Sequence, residues 1–226
     1  MTDFFRFPHT PHVAWLAEGE PRDDKVLSSA EAASILSGEL VLEEKIDGAN
    51  LGLSVGPDGE IRAQNRGQYL ILPYNGQFER LGQWLSLHQD ALFDALGEDL
   101  MLFGEWCAAR HSLDYPALPG WFLGFDVYDR RKQQFWSTKR RDFLLASLGL
   151  PAIRRLNTGS FTLEQLKEFV MTGGSQYRDG HMEGLVMRRE DEDWLLMRAK
   201  LVRPDFTQAI DTHWRKRRIE WTRLHD

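Results

Sequence analysis

Apolar and polar residues along this chain fall into short strand-like runs separated by capped, helix-spaced segments. The runs are Leu40 to Ile46, Leu51 to Val55, Ile61 to Asn65, Met101 to Cys107, Trp121 to Tyr128, Gln134 to Ser137, Gly184 to Arg189 and Trp194 to Lys200. Hairpin-sized turns such as Gly56-Pro57-Asp58-Gly59 and Arg189-Glu190-Asp191-Glu192 join neighbours, and such turns favour antiparallel pairing. A helix is expected from Ser28 to Ser37 behind a Ser28/Glu31 capping box. A second covers 76–97, where Phe78, Leu81, Leu85, Leu92 and Leu96 share a face. Thr138 caps a third that ends at Gly149-Leu150-Pro151, and Thr162 with Gln165 caps a fourth that ends at Gly173-Gly174. After Pro204, Phe206, Ile210, Trp214 and Trp221 recur near helical spacing in a last, basic helix. The pattern predicts an α+β fold of antiparallel sheets flanked by helices. It assigns the core to residues 1–203 and a packed basic helix to 204–226, with no separate large C-terminal domain.

With 226 residues and 42% apolar content the chain can bury a sizeable core, which excludes a disordered or fibrous protein. The net charge of -6 hides an asymmetry: residues 1–129 carry 8 basic and 21 acidic residues, and residues 130–226 carry 20 and 13. That imbalance hints at a nucleic-acid partner. Cys107 is the only cysteine, so an internal disulfide and a cysteine zinc cluster are excluded, and a reducing, cytoplasmic setting is expected. The N-terminus lacks the features of a secretory signal, and no run approaches the roughly 18 apolar residues of a membrane span. Among the histidines, His9, His12, His111 and His181 have no metal-ligand spacing and read as surface or hydrogen-bonding residues.

The sharpest local signal is Glu43-Glu44-Lys45-Ile46-Asp47-Gly48-Ala49-Asn50, a lysine at the end of an apolar strand followed by a glycine turn and a second strand. Further charges interrupt other strands: Arg66 after Asn65, Glu105, Asp126, Glu183, and Arg198 with Lys200. Charges in such runs are expensive unless paired or functional. If the strands converge, they form a pocket with cations Lys45, Arg66, Arg198 and Lys200 beside carboxylates Asp47, Glu105 and Glu183. That mixture suits a nucleoside triphosphate with metal ions.

These residues, in this order, resemble the covalent nucleotidyltransferases, which include ATP-dependent DNA ligases, RNA ligases and mRNA capping enzymes. The likeness is closest to the RNA ligases of the phage double-strand nick-joining type. Lys45-Ile46-Asp47-Gly48-Ala49-Asn50 resembles the nucleotide-accepting motif, with Lys45 the acceptor and Glu44 in front of it. Arg66 falls where the family places an arginine on the substrate phosphate. Leu102-Phe103-Gly104-Glu105 is similar to the motif whose glutamate holds the ribose. Phe122-Leu123-Gly124-Phe125-Asp126-Val127 is similar to the one whose aromatic stacks on the purine, with Phe125 first and Phe122 as the alternative. Met182-Glu183-Gly184-Leu185-Val186 and Arg198-Ala199-Lys200 resemble the metal and α-phosphate motifs, although the family usually has lysine where Arg198 stands.

The resemblance implies a nucleotidyltransferase (ATP-grasp-like ligase) fold and an ATP-dependent RNA ligase that joins 3′-hydroxyl and 5′-phosphate ends. Lys45, Lys200 and Arg66 are then the catalytic group. Glu44, Lys45, Ile46, Asn50, Arg66, Glu105, Phe125, Glu183, Arg198 and Lys200 bind the nucleotide, and Asp47 and Glu183 hold Mg²⁺ or Mn²⁺. The implied partners are RNA, as a nicked duplex or broken ends, and an end-healing kinase or phosphatase. The alternatives are a DNA ligase or capping enzyme, and a nucleotide-binding module of an RNA repair complex without catalysis. Neighbouring cations are expected to lower the pKa of Lys45 and free its amine for attack. The basic runs at Arg215-Lys216-Arg217-Arg218, Arg130-Arg131-Lys132 and Lys139-Arg140-Arg141 are candidates for backbone contacts with RNA.

Overall fold

In the computed structural model, which describes residues 4–19, 21, 25–209 and 219–224, the strand-like runs assemble into two antiparallel sheets. One sheet has the order β7-β1-β8-β9, formed by β1 (Leu40–Lys45), β7 (Arg155–Gly159), β8 (Gly184–Glu190) and β9 (Leu195–Val202). The other has the order β3-β2-β4-β5-β6, formed by β2 (Ala49–Val55), β3 (Ile61–Gln64), β4 (Leu100–Trp106), β5 (Phe122–Asp129) and β6 (Gln134–Phe135).

Side chains alternate across each strand, and the register sorts them cleanly by polarity. In the first sheet Leu42 stands opposite Met187, and Met187 opposite Ala199. This face, with Leu40, Leu185 and Leu201, packs against Ile35 of α1 (Ser29–Leu36) and Leu166 and Val170 of α4 (Leu163–Thr172). The other face carries Glu43 opposite Val186 and Val186 opposite Lys200, with Lys45 and Arg198 on the same side. In the second sheet Leu51, Leu53, Ala63, Leu102 and Val127 pack with Leu81, Leu85 and Leu92 of α2 (Leu81–Leu96) and Leu145 of α3 (Thr138–Ser147). Its opposite face carries Asn50 and Glu105, which pair in register, at one end and buried Met101 and Phe103, packed with Phe7, at the other. Helices therefore cover the apolar outer faces, and the polar inner faces are left to line a cavity between the sheets.

A bulge in β5 sharpens this arrangement. Phe103 pairs with Asp126 and Gly104 with Gly124, so Phe125 has no opposite number, and both Phe125 and Asp126 turn to the cavity. Phe122, in contrast, is buried against Trp84 on the helix side.

The helix signals are largely realised, with both capping boxes intact at Ser28/Glu31 and Thr162/Gln165. Four details differ from expectation. The third helix is capped by Ser137, whose hydroxyl accepts from the Arg140 amide, because Thr138 is the first helical residue and donates twice to Glu190. The helix expected over 76–97 is divided into a 3-10 turn at Gly76–Phe78 and α2, with Gly76 at φ +57°. The strand expected over 134–137 ends at Phe135, with Trp136 donating to the Val127 carbonyl and bridging Trp194 before Ser137 becomes the helix cap. The last helix is described only as α5 (Pro204–Ala209), and Ile210, Trp214 and the 215–218 basic run lie outside the described residues. Trp221 is not helical: it bridges Ala109, and the 220–222 segment exchanges backbone bonds with 108–110.

Gly104 is fixed by close packing, because a Cβ there would meet the Phe122 ring and lie 2.7 Å from the Leu123 carbonyl oxygen. Gly104→Ala is expected to destabilise the fold by about 1–3 kcal/mol and lower the melting temperature by several degrees, measured by thermal denaturation.

Candidate active site

The polar inner faces enclose a cavity of about 590 Å³. Lys45 enters it from the end of β1, and its Nζ lies 2.5 Å from Glu183 Oε1. The contact follows from register: Lys45 pairs with Gly184, so Glu183 is delivered beside it. Burial alone would lower the pKa of Lys45, but the carboxylates of Glu183, Glu105 and Asp47 outweigh it, and the value is raised. The expected lowering is thus reversed, because carboxylates rather than cations are its dominant neighbours. Burial pushes Glu183 and Glu105 up to about 7, against the pull of Lys45.

Glu105 on β4 accepts a hydrogen bond from the Gly48 amide at 3.0 Å. A Cβ on Gly48 would crowd Trp106 O at 2.8 Å and Cys107 Sγ at 2.9 Å, so the turn after Lys45 requires glycine. Asp47 Oδ2 accepts from the amides of Ser112 (2.8 Å) and Leu113 (3.3 Å), and the Asp47 amide donates to the Tyr115 hydroxyl at 3.0 Å. Asp47 therefore ties the loop after β4 to the lysine turn. His111 sits on this loop, with Nε2 2.7 Å from Gln77 Oε1 and Nδ1 3.8 Å from Asp47 Oδ1. It lines the cavity. Its expected role is surface or hydrogen-bonding, and the hydrogen bond to Gln77 is present; its place in the cavity is a three-dimensional meeting with Asp47 that no spacing signals.

The cavity floor is a buried ion network. Arg188 donates to Asp126 Oδ1 and Glu190 Oε1, each at 2.7 Å, and approaches Glu43 at 3.8 Å. Arg141 donates to Glu43 at 2.6 Å and to the Phe125 carbonyl at 2.8 Å. Both arginines are 1% exposed. Arg198 donates to Asp126 and lies over the Phe7 and Phe135 rings, and burial together with nearby Arg66 lowers its pKa to about 10.

The structure brings Lys45, Ile46, Asp47, Asn50, Arg66, Glu105, Phe125, Arg198 and Lys200 to the cavity wall, and Glu183 reaches it through Lys45. Glu44 also borders it, but its carboxylate turns away to accept from Ser175 Oγ (2.5 Å) and the Gln176 amide (2.7 Å). Several contributors lie outside the recognised motifs, among them Gln77, His111, Phe7 and Thr10. Phe7 and Thr10 belong to an N-terminal arm that runs beside β9, where the Lys200 amide donates to Pro11 O at 2.8 Å and the Val13 amide to Lys200 O at 2.9 Å. Phe7 meets Phe125 with ring centroids 5.4 Å apart and an interplanar angle of 60°. Two of the basic runs are turned to the protein's own acids: Arg131 pairs with Asp99, Lys139 with Glu192 and Arg141 with Glu43.

Four buried polar atoms at the cavity have no hydrogen-bond partner among the described residues: Asn50 Oδ1, Arg66 Nε, Glu183 Oε2 and Arg198 Nε. Two oxygens and two cationic nitrogens left open suit a phosphorylated ligand with a divalent cation. The described residues contain no cluster of three or more ligating side chains, so a cation here would also need donors from the ligand and water.

The RNA ligase family model matches residues 38–202. No curated protein matches the chain. Among solved structures, the Naegleria gruberi RNA ligase with PPi is 19% identical with a TM-score of 0.66, covering 94% of this chain and 65% of that one. An arginine-to-alanine mutant of that ligase with ATP and Mn is 18% identical with a TM-score of 0.67, covering 93% of this chain and 60% of that one. A lysine-to-methionine mutant with AMP and Mn is 19% identical with a TM-score of 0.64, covering 91% and 64%. The fold is shared, and this chain spans no more than 65% of these three solved chains. No helix among the described residues is long and apolar enough to cross a membrane.

Truncating Arg188 leaves Asp126 and Glu190 short of a cation in a sealed site. Arg188→Met is expected to cost about 3–5 kcal/mol, read as a lower denaturation midpoint in urea.

Proposed function

The chain belongs to the RNA ligase family, and from that premise we propose that it is an ATP-dependent RNA ligase joining a 3′-hydroxyl to a 5′-phosphate through a lysyl-AMP on Lys45. The observation that carries this reading is the placement of Lys45, which enters a polar cavity from the end of a strand with carboxylates and cations converging on it. Lys45 Nζ attacks the α-phosphorus of ATP, a nitrogen–phosphorus bond forms, and pyrophosphate leaves. Before that the ammonium must lose a proton, and Glu183, at 2.5 Å and pushed up to about 7, is an acceptor within reach.

Arg66, Arg198 and Lys200 supply positive charge where the phosphates would lie. Arg198 also answers to Asp126, which restrains it where the family's lysine would stand. Phe125 is the ring for the adenine, because it lines the cavity while Phe122 is locked in the core. Glu105 is placed for the ribose. A bound Mg²⁺ or Mn²⁺ would supply further charge neutralisation, with Glu183 Oε2 and Asn50 Oδ1 the open oxygens. Asp47, assigned to the metal from its motif, has one oxygen committed to the 112–113 amides, so its larger share is in positioning the turn.

The AMP then passes to a 5′-phosphate, and the 3′-hydroxyl displaces it. RNA of the nick-joining kind and an end-healing kinase or phosphatase fit this reading, since ligation needs one phosphate end and one hydroxyl end.

Incubation with ATP and Mg²⁺ is expected to add the mass of one AMP to the wild-type chain and none to Lys45→Ala, by intact-mass spectrometry. A covalent adenylate on the variant refutes the assignment. Phe7→Ala, which removes a ring seated against Phe125 and Arg198, is expected to raise the KM for ATP about tenfold. Phe5→Ala, in the same aromatic cluster but away from the cavity wall, is expected to leave that KM near wild type.

A further inference from the structure

A second cavity of about 420 Å³ adjoins the first and shares Asn65, Gln77, Phe78, His111 and Ser112 with it. Its walls are the 65–78 segment after β3, the loop after β4, and Ile219 with Glu220 from the segment that returns to the core. The last two fall outside the family match at 38–202.

Charge distinguishes the two spaces. The first gathers the cations Lys45, Arg66, Arg188, Arg198 and Lys200 together with the carboxylates Glu43, Glu44, Asp47, Glu105 and Asp126. Among the described residues lining the second, Arg110 is the one Lys or Arg side chain, and its guanidinium is committed to Glu220 at 3.1 Å and Asp114 at 3.8 Å. The other polar groups are the amides of Asn65, Gln68, Asn75 and Gln77, the Ser112 hydroxyl and the His111 imidazole. Amides and hydroxyls donate to and accept from sugar hydroxyls and base edges, but they offer little to a phosphate dianion.

Strand joining brings together two unlike ends. The phosphate end matches the charged cavity, where Arg66 Nε and Arg198 Nε are open among the described residues, and the hydroxyl-bearing end presents an uncharged sugar and base. We propose that the second cavity receives the terminal nucleoside of the hydroxyl-bearing RNA strand, with Gln68 and Asn75 among its contacts. The inference rests on the ligase reading above. His111, held between Gln77 and Asp47, is the partition that the two cavities share. Its position sets the terminal sugar beside the turn that carries Lys45.

The test uses the full chain and the variant Gln68→Ala/Asn75→Ala, two exposed positions whose truncation the fold tolerates. Adenylation is followed by mass with ATP and Mg²⁺. Acceptor use is followed separately, by single-turnover joining of a pre-adenylated RNA strand to increasing amounts of acceptor RNA, which bypasses the first step. The variant is expected to adenylate within twofold of wild type while its half-saturating acceptor concentration rises about tenfold, as loss of one or two hydrogen bonds gives. A 2′-deoxy terminus on the acceptor should weaken the wild type more than the variant. An unchanged acceptor requirement, or an equal loss in adenylation, overturns the proposal. A wild-type chain that gains no AMP overturns the ligase reading instead, and the acceptor titration still reports on the cavity.

Discussion

The two sheets face one another across a cavity, and beside the aromatic cluster of Phe7, Phe103 and Phe125 it is buried ion pairs that join them directly. Arg188 on one sheet grips Asp126 on the other, Arg198 reaches the same carboxylate, and Arg141 from α3 holds Glu43. Apolar burial is indifferent to direction, whereas a guanidinium bonded to carboxylates fixes both separation and orientation. The cavity follows from this seating. Its width, the inward turn of Phe125 and Asp126, and the approach of Glu183 to Lys45 all depend on where the arginines set the strands.

The same network balances the cations gathered at the cavity. Glu43 and Asp126 absorb charge from Arg141, Arg188 and Arg198 beneath the floor. Arg66 Nε and Arg198 Nε remain buried without partners at the wall. Positive charge is thus partly spent on architecture and partly kept open for a ligand. The side chain that continues the recognised Arg198-Ala199-Lys200 motif serves both ends at once.

Much of the fold was legible because strand periodicity and capping chemistry are local. Ser28/Glu31 and Thr162/Gln165 close their boxes within four residues. The cavity residues were legible as charges on strands that a plain sheet would leave apolar. What escaped was non-local. Arg155-Leu156-Asn157-Thr158-Gly159 reads as polar loop, and becomes β7 only because the edge of β1 is available to it. Phe7 and Thr10 carry no motif, and join the cavity because their arm pairs beside Lys200. The sign of the Lys45 shift also lay beyond sequence, since it depends on whether cations or carboxylates stand nearer. Arg140 and Arg141 were candidates for backbone contacts with RNA, yet one covers Trp136 and Trp194 and the other is buried.

The ion pair between Lys45 and Glu183 bears on the protein between turnovers. A lysine amine in an open cavity is a target for any small acylating or carbamylating electrophile in its surroundings, and each such accident would be permanent. Held as an ammonium ion against a carboxylate at 2.5 Å, Lys45 has no lone pair to offer. On the proposed ligase reading, the pairing that must be undone before Lys45 can attack is therefore also a chemical shelter for its amine.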